Sequence, residues 1–219
     1  MNILAAYKKY RIMPQLQEHM LRVAGVAEII TDNIDLSRPS ATLPMPGEGN
    51  IDKQAIIIAC LLHDMGNIVK FDFSRFPEMV EEKGVEYWEK IKQETLKKYG
   101  ANSHEATRNM LKELGVSERI LELVDAVGFD QGEANMQSAD FGKKICAYAD
   151  MRVLPKGAGS LEDRMADLRV RYKDHPEGAE NREVFEQALR EIEKQIFEKC
   201  KIRPEEITDE NIRQKLEKL

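Results

Sequence analysis

The chain has 219 residues, 42% of them apolar and 33% charged, which is enough for one enlarged domain whose core needs no disulfide or structural metal. Its 39 acidic and 33 basic residues give a net charge of -6, which excludes a general binder of nucleic acid or anionic membranes. No apolar run approaches the roughly 20 residues of a membrane span, and apolar residues precede the first lysines, the reverse of a signal peptide. We therefore expect a cytoplasmic protein without a polymeric nucleic-acid or membrane partner.

The composition and the proline positions predict a fold made almost entirely of helices. Residue types with high helix propensity dominate, strand-like alternation is nearly absent, and no proline lies between residues 78 and 154. The cysteines Cys60, Cys146 and Cys200 are odd in number and lack C-x-x-C spacing, so we expect reduced core residues. We predict an all-α protein with a single domain over residues 1–219.

Capping residues and apolar periodicity predict the helices in chain order. The first helix covers 14–31, and a proline-containing loop over 32–50 follows it. The second covers 51–64 and is apolar on all sides over 55–62, which indicates a helix through the middle of the fold; a buried strand is the alternative. The remaining predicted helices are 85–99, 102–115, 117–127, 141–153, 160–172, 179–200 and a short one after Thr208.

The pair His63-Asp64 is unusual because it ends the most hydrophobic helix of the chain. Ionisable groups at the end of a buried helix are destabilising unless they are paired or bound to a cation. Gly66 follows them and lets the backbone turn sharply beside the pair. The alternative is a histidine that interacts only with the negative end of the helix dipole.

Two further residues have positions that suit the same site. His19 lies at the edge of the apolar stripe of the first helix, and Asp150 lies on a helix whose small alanines allow close packing. Taken singly, His19 also fits a hydrogen-bonded boundary histidine, and Asp150 also fits a capping or solvent-facing carboxylate. Together with His63 and Asp64 they place two imidazoles and two carboxylates on three predicted helices.

The order of these residues carries a family resemblance. His19, then the run His63-Asp64-Met65-Gly66, then Asp150 resembles the H…HD…D pattern of the HD-domain superfamily of metal-dependent phosphohydrolases. The resemblance covers residues 12–155 and implies an HD-like helical core there. Residues 156–219 are then expected to form a helical extension packed on that core.

The resemblance also implies one divalent metal ion, held by His19, His63, Asp64 and Asp150. In addition, Asp64 would orient the attacking water. Two imidazoles and two carboxylates suit Mn²⁺, Fe²⁺, Co²⁺, Ni²⁺, Zn²⁺ or Mg²⁺ without selecting among them. Such an ion activates water and polarises a phosphoryl oxygen, which are the two requirements of phosphoester hydrolysis.

Two other residues are expected to contact the substrate. His104 falls in the first turn of a helix capped by Asn102, where free backbone N–H groups and the helix dipole favour an anion. The alternative for His104 is an exposed surface histidine. The lysine that follows the His-Asp pair in many family members is replaced by Asn67, so Lys70 is the substitute that could stabilise charge in the transition state.

The scarcity of histidine favours a mononuclear site. Binuclear members of the superfamily supply two further histidines after the His-Asp pair, whereas only His104 is available here. The position expected for the second offers Asp125, and His175 lies in a polar turn that is expected to be exposed.

These residues predict a divalent-metal-dependent phosphohydrolase that acts on a nucleotide or another small phosphoester. The main alternative is a catalytically reduced HD domain that binds a nucleotide or a partner protein as a sensor. A di-iron oxygenase is a third alternative, although it needs more histidines than this pattern supplies.

Overall fold

Helices make up nearly all the regular structure in the computed structural model, which describes residues 1–38, 51–73, 80, 83–171 and 179–217. The all-α prediction is therefore confirmed. The helices are α1 (Ile3–Lys9), α2 (Pro14–Asn33), α3 (Lys53–Leu62), α4 (Gly84–Tyr99), α5 (Ser103–Leu114), α6 (Glu118–Asp125), α7 (Gly132–Gln137), α8 (Phe141–Asp150), α9 (Leu161–Arg171), α10 (Ala179–Lys199) and α11 (Asp209–Leu216). Short 3₁₀ helices cover Asn67–Lys70, Phe129–Gln131 and Pro204–Glu206. None of the described helices is long and apolar enough to cross a membrane.

Side-chain caps explain why several helices begin where the sequence predicts. Asp52, Asn102 and Thr208 each accept a hydrogen bond from the backbone N–H three residues further on. Gly115 ends α5 in the left-handed conformation, with φ of 75°. These local signals do not depend on tertiary packing, so they can be read from the sequence alone.

The structure differs from the predicted elements in a few places. Helix α8 ends at Asp150 instead of Val153, because Val153 pairs with Ala158 in a hairpin of two short strands, β1 (Val153–Leu154) and β2 (Gly157–Ala158). Helices α1 and α7 were not predicted, since segments of 7 and 6 residues are too short to show an apolar period. Residues 39–50 of the predicted loop and His175 lie outside the described residues.

Helix α3 occupies the centre of the bundle, and it is a helix and not the buried strand of the alternative prediction. Seven of its ten residues are buried, and it packs against α2, α6 and α8. Small residues permit the close approach to α8, where the Sγ atoms of Cys60 and Cys146 lie 3.9 Å apart. Both thiols are free and buried, as is the thiol of Cys200. The end of α3, at His63, consequently lies inside the protein.

The C-terminal helices pack back on helices that precede them in the chain. Helix α10 contacts α7 and α8, and α11 contacts α2. A Cβ atom at Gly25 of α2 would come within 2.7 Å of the Ile212 Cγ2, so glycine allows α11 to lie directly on α2. Helices α10 and α11 thus lie against earlier helices, while the division into a core over 12–155 and an extension over 156–219 stays a prediction.

The buried side chain of Arg152 joins the C-terminal segment to the end of α8. Its guanidinium donates a hydrogen bond to the hydroxyl of Tyr148 at 2.7 Å. It also donates, over 2.5 to 3.3 Å, to the carbonyl oxygens of Gly159, Pro204 and Ile207. Tyr148 in turn donates to the Glu193 carboxylate of α10 at 2.5 Å. Arg152 therefore has a structural role, two residues away from Asp150.

We expect Arg152→Leu to lower the free energy of unfolding by about 3 kcal/mol, because several largely buried oxygen atoms lose their donor. Urea denaturation followed by circular dichroism measures the change. Arg11→Leu is the matched control, since Arg11 pairs with Glu94 where both side chains are 44% exposed. Its loss should stay below about 1 kcal/mol. Equal losses in the two variants would contradict the structural role of Arg152.

Candidate metal centre

Three helices bring four ionisable side chains together inside the bundle. His19 lies in the second turn of α2, His63 caps the C-terminus of α3 and Asp64 follows it. Asp150 is the last residue of α8. Because α2 and α8 both pack on α3, these three positions meet. The structure therefore places all four predicted metal ligands in one cluster.

The distances between polar atoms in the cluster are short. His19 Nε2 lies 2.9 Å from Asp150 Oδ1 and 3.7 Å from Asp64 Oδ2. His63 Nε2 lies 3.4 Å from Asp150 Oδ1 and 3.7 Å from Asp64 Oδ1. One ligand atom from each of His19, His63 and Asp64 lies within 4.8 Å of the others. Ligands bound about 2.1 Å from one ion are up to about 4.2 Å apart, and the four histidine–carboxylate distances, 2.9 to 3.7 Å, fall within that limit.

His63 is oriented by the main chain of its own helix. Its Nδ1–H donates to the Cys60 carbonyl oxygen at 2.9 Å, which leaves Nε2 directed at the two carboxylates. Only 2% of the side chain is exposed, and Nε2 makes no hydrogen bond to any described residue. A metal-ligating histidine typically donates its other ring N–H to a carbonyl or carboxylate in this way. The buried Nε2 atom therefore fits a metal ligand.

The carboxylates change the acid–base properties of the cluster. Burial lowers the pKa of His63, but the negative charges of Asp64 and Asp150 outweigh burial and raise this pKa to about 9. Burial raises the pKa of Asp150, but its hydrogen bond to His19 and the charges of His19 and His63 hold this pKa well below its usual value. The cluster thus attracts positive charge, which a divalent cation supplies more strongly than a proton does. Metal binding at such a site releases protons.

Gly66 connects the cluster to α5. Its φ of -88° is open to any residue, so the sequence-based explanation, a sharp turn that needs glycine, was wrong. Glycine is required by space: a Cβ atom would lie 2.5 Å from Thr107 N and 2.7 Å from the Ser103 carbonyl oxygen. The Gly66 N–H also donates to Thr107 Oγ1 at 2.9 Å. The first turn of α5 is therefore held directly beside the His63-Asp64 segment.

A pocket of about 700 Å³ opens beside the cluster. The four clustered side chains are not part of its wall, but the segments that carry them continue into it. Met151 follows Asp150, and Ser103 contacts Gly66. The two residues expected to contact substrate, His104 and Lys70, both line this pocket and are exposed.

Other residues singled out in the sequence lie elsewhere. Asp125, at the position expected for a second late histidine, forms an ion pair with Arg108. The aromatic residues of the pocket, Phe129 and Phe185, were not predicted from the sequence. No local pattern marks them, because residues 129 and 185 meet only through the tertiary fold.

Comparison with known families agrees with this geometry. The family model described as HD domain matches residues 16–172 of the chain. The protein therefore belongs to the HD-domain family, whose members are generally metal-dependent phosphohydrolases. No curated protein and no solved structure matches the chain.

Removal of one carboxylate charge should weaken metal binding. We expect Asp150→Asn to reduce the affinity for Mn²⁺ at least tenfold, because the amide carries no charge and is a poorer ligand. Isothermal titration calorimetry on protein freed of metal with a chelator measures the affinity and the number of ions bound. Asp125→Asn, at the exposed ion pair with Arg108, is the control and should change the affinity less than about twofold. A loss of affinity in Asp125→Asn would instead indicate a ligand at that position.

Gly66→Ala should destabilise the protein, because the added methyl group meets the backbone of α5 and not a flexible side chain. We expect the free energy of unfolding to fall by about 2 kcal/mol or more. The control is Gly84→Ala, where φ is 78° and no described residue outside its own helix and chain neighbours comes within 4 Å of an added Cβ atom, so backbone strain of about 1 kcal/mol is expected. Thermal and urea unfolding measure both. A Gly66→Ala protein as stable as the Gly84→Ala protein would contradict the crowding.

Proposed function

We propose that this protein is a divalent-metal-dependent phosphohydrolase that hydrolyses a nucleotide or another small phosphoester. The observation that carries the proposal is the buried Nε2 atom of His63, which makes no hydrogen bond to the described residues and faces two carboxylates and a second imidazole. In the absence of a cation, this arrangement leaves a buried nitrogen unsatisfied and places two negative charges close together. One divalent ion held by His19, His63, Asp64 and Asp150 would satisfy all of them.

The four residues would bind the ion, and one of them, Asp64, would also orient the attacking water. A divalent ion bound here would lower the pKa of a coordinated water and polarise a phosphoryl oxygen. Asp150 is committed to His19 by its 2.9 Å contact, whereas the closest histidine nitrogens to Asp64 lie at 3.7 Å, beyond hydrogen-bond range. Asp64 is therefore the carboxylate placed to accept a hydrogen bond from the attacking water and orient it.

His104 and Lys70 are placed to receive the phosphate. His104 lies in the first turn of α5, whose N-terminal amides and dipole favour an anion, and Asn102 already satisfies the Glu105 amide. Lys70 ends the 3₁₀ helix that follows the His-Asp pair. It is exposed on the same pocket, so its ammonium can supply the positive charge that Asn67 does not. Both roles belong to the proposal.

A second candidate function is a nucleotide- or partner-binding sensor without turnover. It is favoured by Asn67, which is buried at the position where many family members have a lysine. The two functions differ in what a bound ligand does: a sensor is stabilised by a nucleotide that it leaves intact. A thermal shift by a nucleotide, followed by chromatography of that nucleotide, separates them.

The proposal includes a cytoplasmic location and a small phosphorylated partner molecule. Three buried cysteines with free thiols suit a reducing compartment. The net charge of -6 disfavours polymeric nucleic acid and anionic membranes as partners.

Asp64→Ala should abolish hydrolysis by removing both a metal ligand and the group that orients water. We expect a loss of roughly 100-fold or more in turnover, measured by phosphate release from a panel of nucleotides and sugar phosphates with Mn²⁺ supplied. A chelator should abolish the activity of the unmodified protein, and added Mn²⁺ should restore it. Asp125→Ala is the control and should keep its activity. Hydrolysis that survives Asp64→Ala would refute the mechanism.

A further inference from the structure

The pocket beside the metal centre has an aromatic wall that hydrolysis alone does not require. Phe129 is 56% exposed, which is unusual for a phenylalanine, and it lines the pocket. Its ring lies against that of Phe185, with the centroids 4.7 Å apart and the planes inclined by 47°. Phe185 is buried. The pair therefore presents the surface of one ring to the pocket and anchors it with the other.

The aromatic pair is supported by close backbone packing. A Cβ atom at Gly132 would come within 2.8 Å of Phe185 Cδ2, so the start of α7 lies directly on that ring. Helix α7 is fixed in turn by buried Asn135, whose side-chain amide donates to the Ala126 carbonyl oxygen at 2.7 Å. Phe129 itself belongs to the 3₁₀ helix Phe129–Gln131, immediately before α7. The aromatic wall is thus part of the helical framework.

The charged residues near this aromatic wall differ from those at the expected phosphate position. Lys70 and His104 line the pocket, and the metal cluster adjoins it. Asp130 and Glu133 follow Phe129 in the chain and also line the pocket, and near Phe185 its wall carries one acidic and one basic residue, Glu186 and Arg182. Carboxylates repel a phosphate but accept hydrogen bonds from hydroxyl or amino groups. The non-phosphate part of a substrate therefore suits the aromatic wall, and a ring with polar donors suits it best.

We propose that Phe129 is a specificity-determining residue: its ring stacks on a planar ring in the substrate, so the site selects phosphoesters of ring-bearing alcohols, such as nucleosides, over aliphatic ones. This inference rests on the proposed phosphohydrolase function. Stacking on an aromatic side chain contributes substantially to the binding of a nucleobase and tolerates different bases, because every base has a π face.

The test compares adenosine monophosphate with ribose 5-phosphate, which lacks the planar adenine base. In the unmodified protein, kcat/KM for adenosine monophosphate should exceed that for ribose 5-phosphate. Phe129→Ala should reduce kcat/KM for adenosine monophosphate about tenfold or more. The value for ribose 5-phosphate should change less than about twofold. Phe129→Trp should retain the preference, and Phe129→Leu, which keeps apolar area but loses the planar face, should not.

Binding without turnover separates this inference from the proposed function. Isothermal titration calorimetry on chelator-treated protein gives the affinity for both ligands when no hydrolysis occurs. If nothing is hydrolysed but adenosine monophosphate binds in a manner that Phe129→Ala weakens, the proposed function fails and the aromatic site stands. If Phe129→Ala affects both ligands equally, or neither, the aromatic site is overturned. Leu4→Ala, another exposed apolar residue on α1, is the control for non-specific effects.

Discussion

The Nε2 atom of His63 lies inside a helical bundle, faces the carboxylates of Asp64 and Asp150, and has no hydrogen-bond donor or acceptor of its own among the described residues. Removal of such a group from water is strongly unfavourable unless charge and hydrogen bonding are balanced locally. The structure around it supplies that balance in part. The Cys60 carbonyl fixes the His63 ring, and His19 Nε2 lies 2.9 Å from one of the two carboxylates, that of Asp150. The position that remains suits a divalent cation.

The scaffold holds this position from two directions. On one side, the absence of a side chain at Gly66 lets the chain leave α3 and pass directly under α5, which sets the distance between the cluster and the pocket. On the other side, Arg152 holds the residues just after Asp150 against the C-terminal segment. Both supports act on the backbone next to a residue of the cluster. The geometry of the cluster therefore depends on contacts that are remote in sequence, including those of the C-terminal segment.

The parts of this structure that could be predicted from the sequence are those with a local physical signal. Asn102 and Gly115 mark the ends of α5 because capping involves only neighbouring residues. The His63-Asp64 pair could be recognised because ionisable residues at the end of an all-apolar helix are unusual. This feature is visible in the sequence whichever neighbours the helix packs against. Arg152 and Phe129 carry no such signal. A buried arginine that binds four oxygens, or an exposed phenylalanine on a pocket wall, is defined by contacts with residues far away in the chain. The role of Gly66 was misread for the same reason, since the crowding atoms belong to another helix.

The separation of the ionisable cluster from the aromatic pocket has a consequence for the order of binding. Asp64 and Asp150 together carry two negative charges, and a phosphate dianion that approaches them without a cation meets repulsion in a partly desolvated site. A divalent ion cancels those charges and reverses the sign of the interaction. The aromatic wall at Phe129 carries no charge, so its interaction with a ring does not depend on the metal. The metal would therefore bind the phosphate end of the substrate, and the pocket would bind the other end. Productive binding would require both, whereas binding of the ring would require only the pocket.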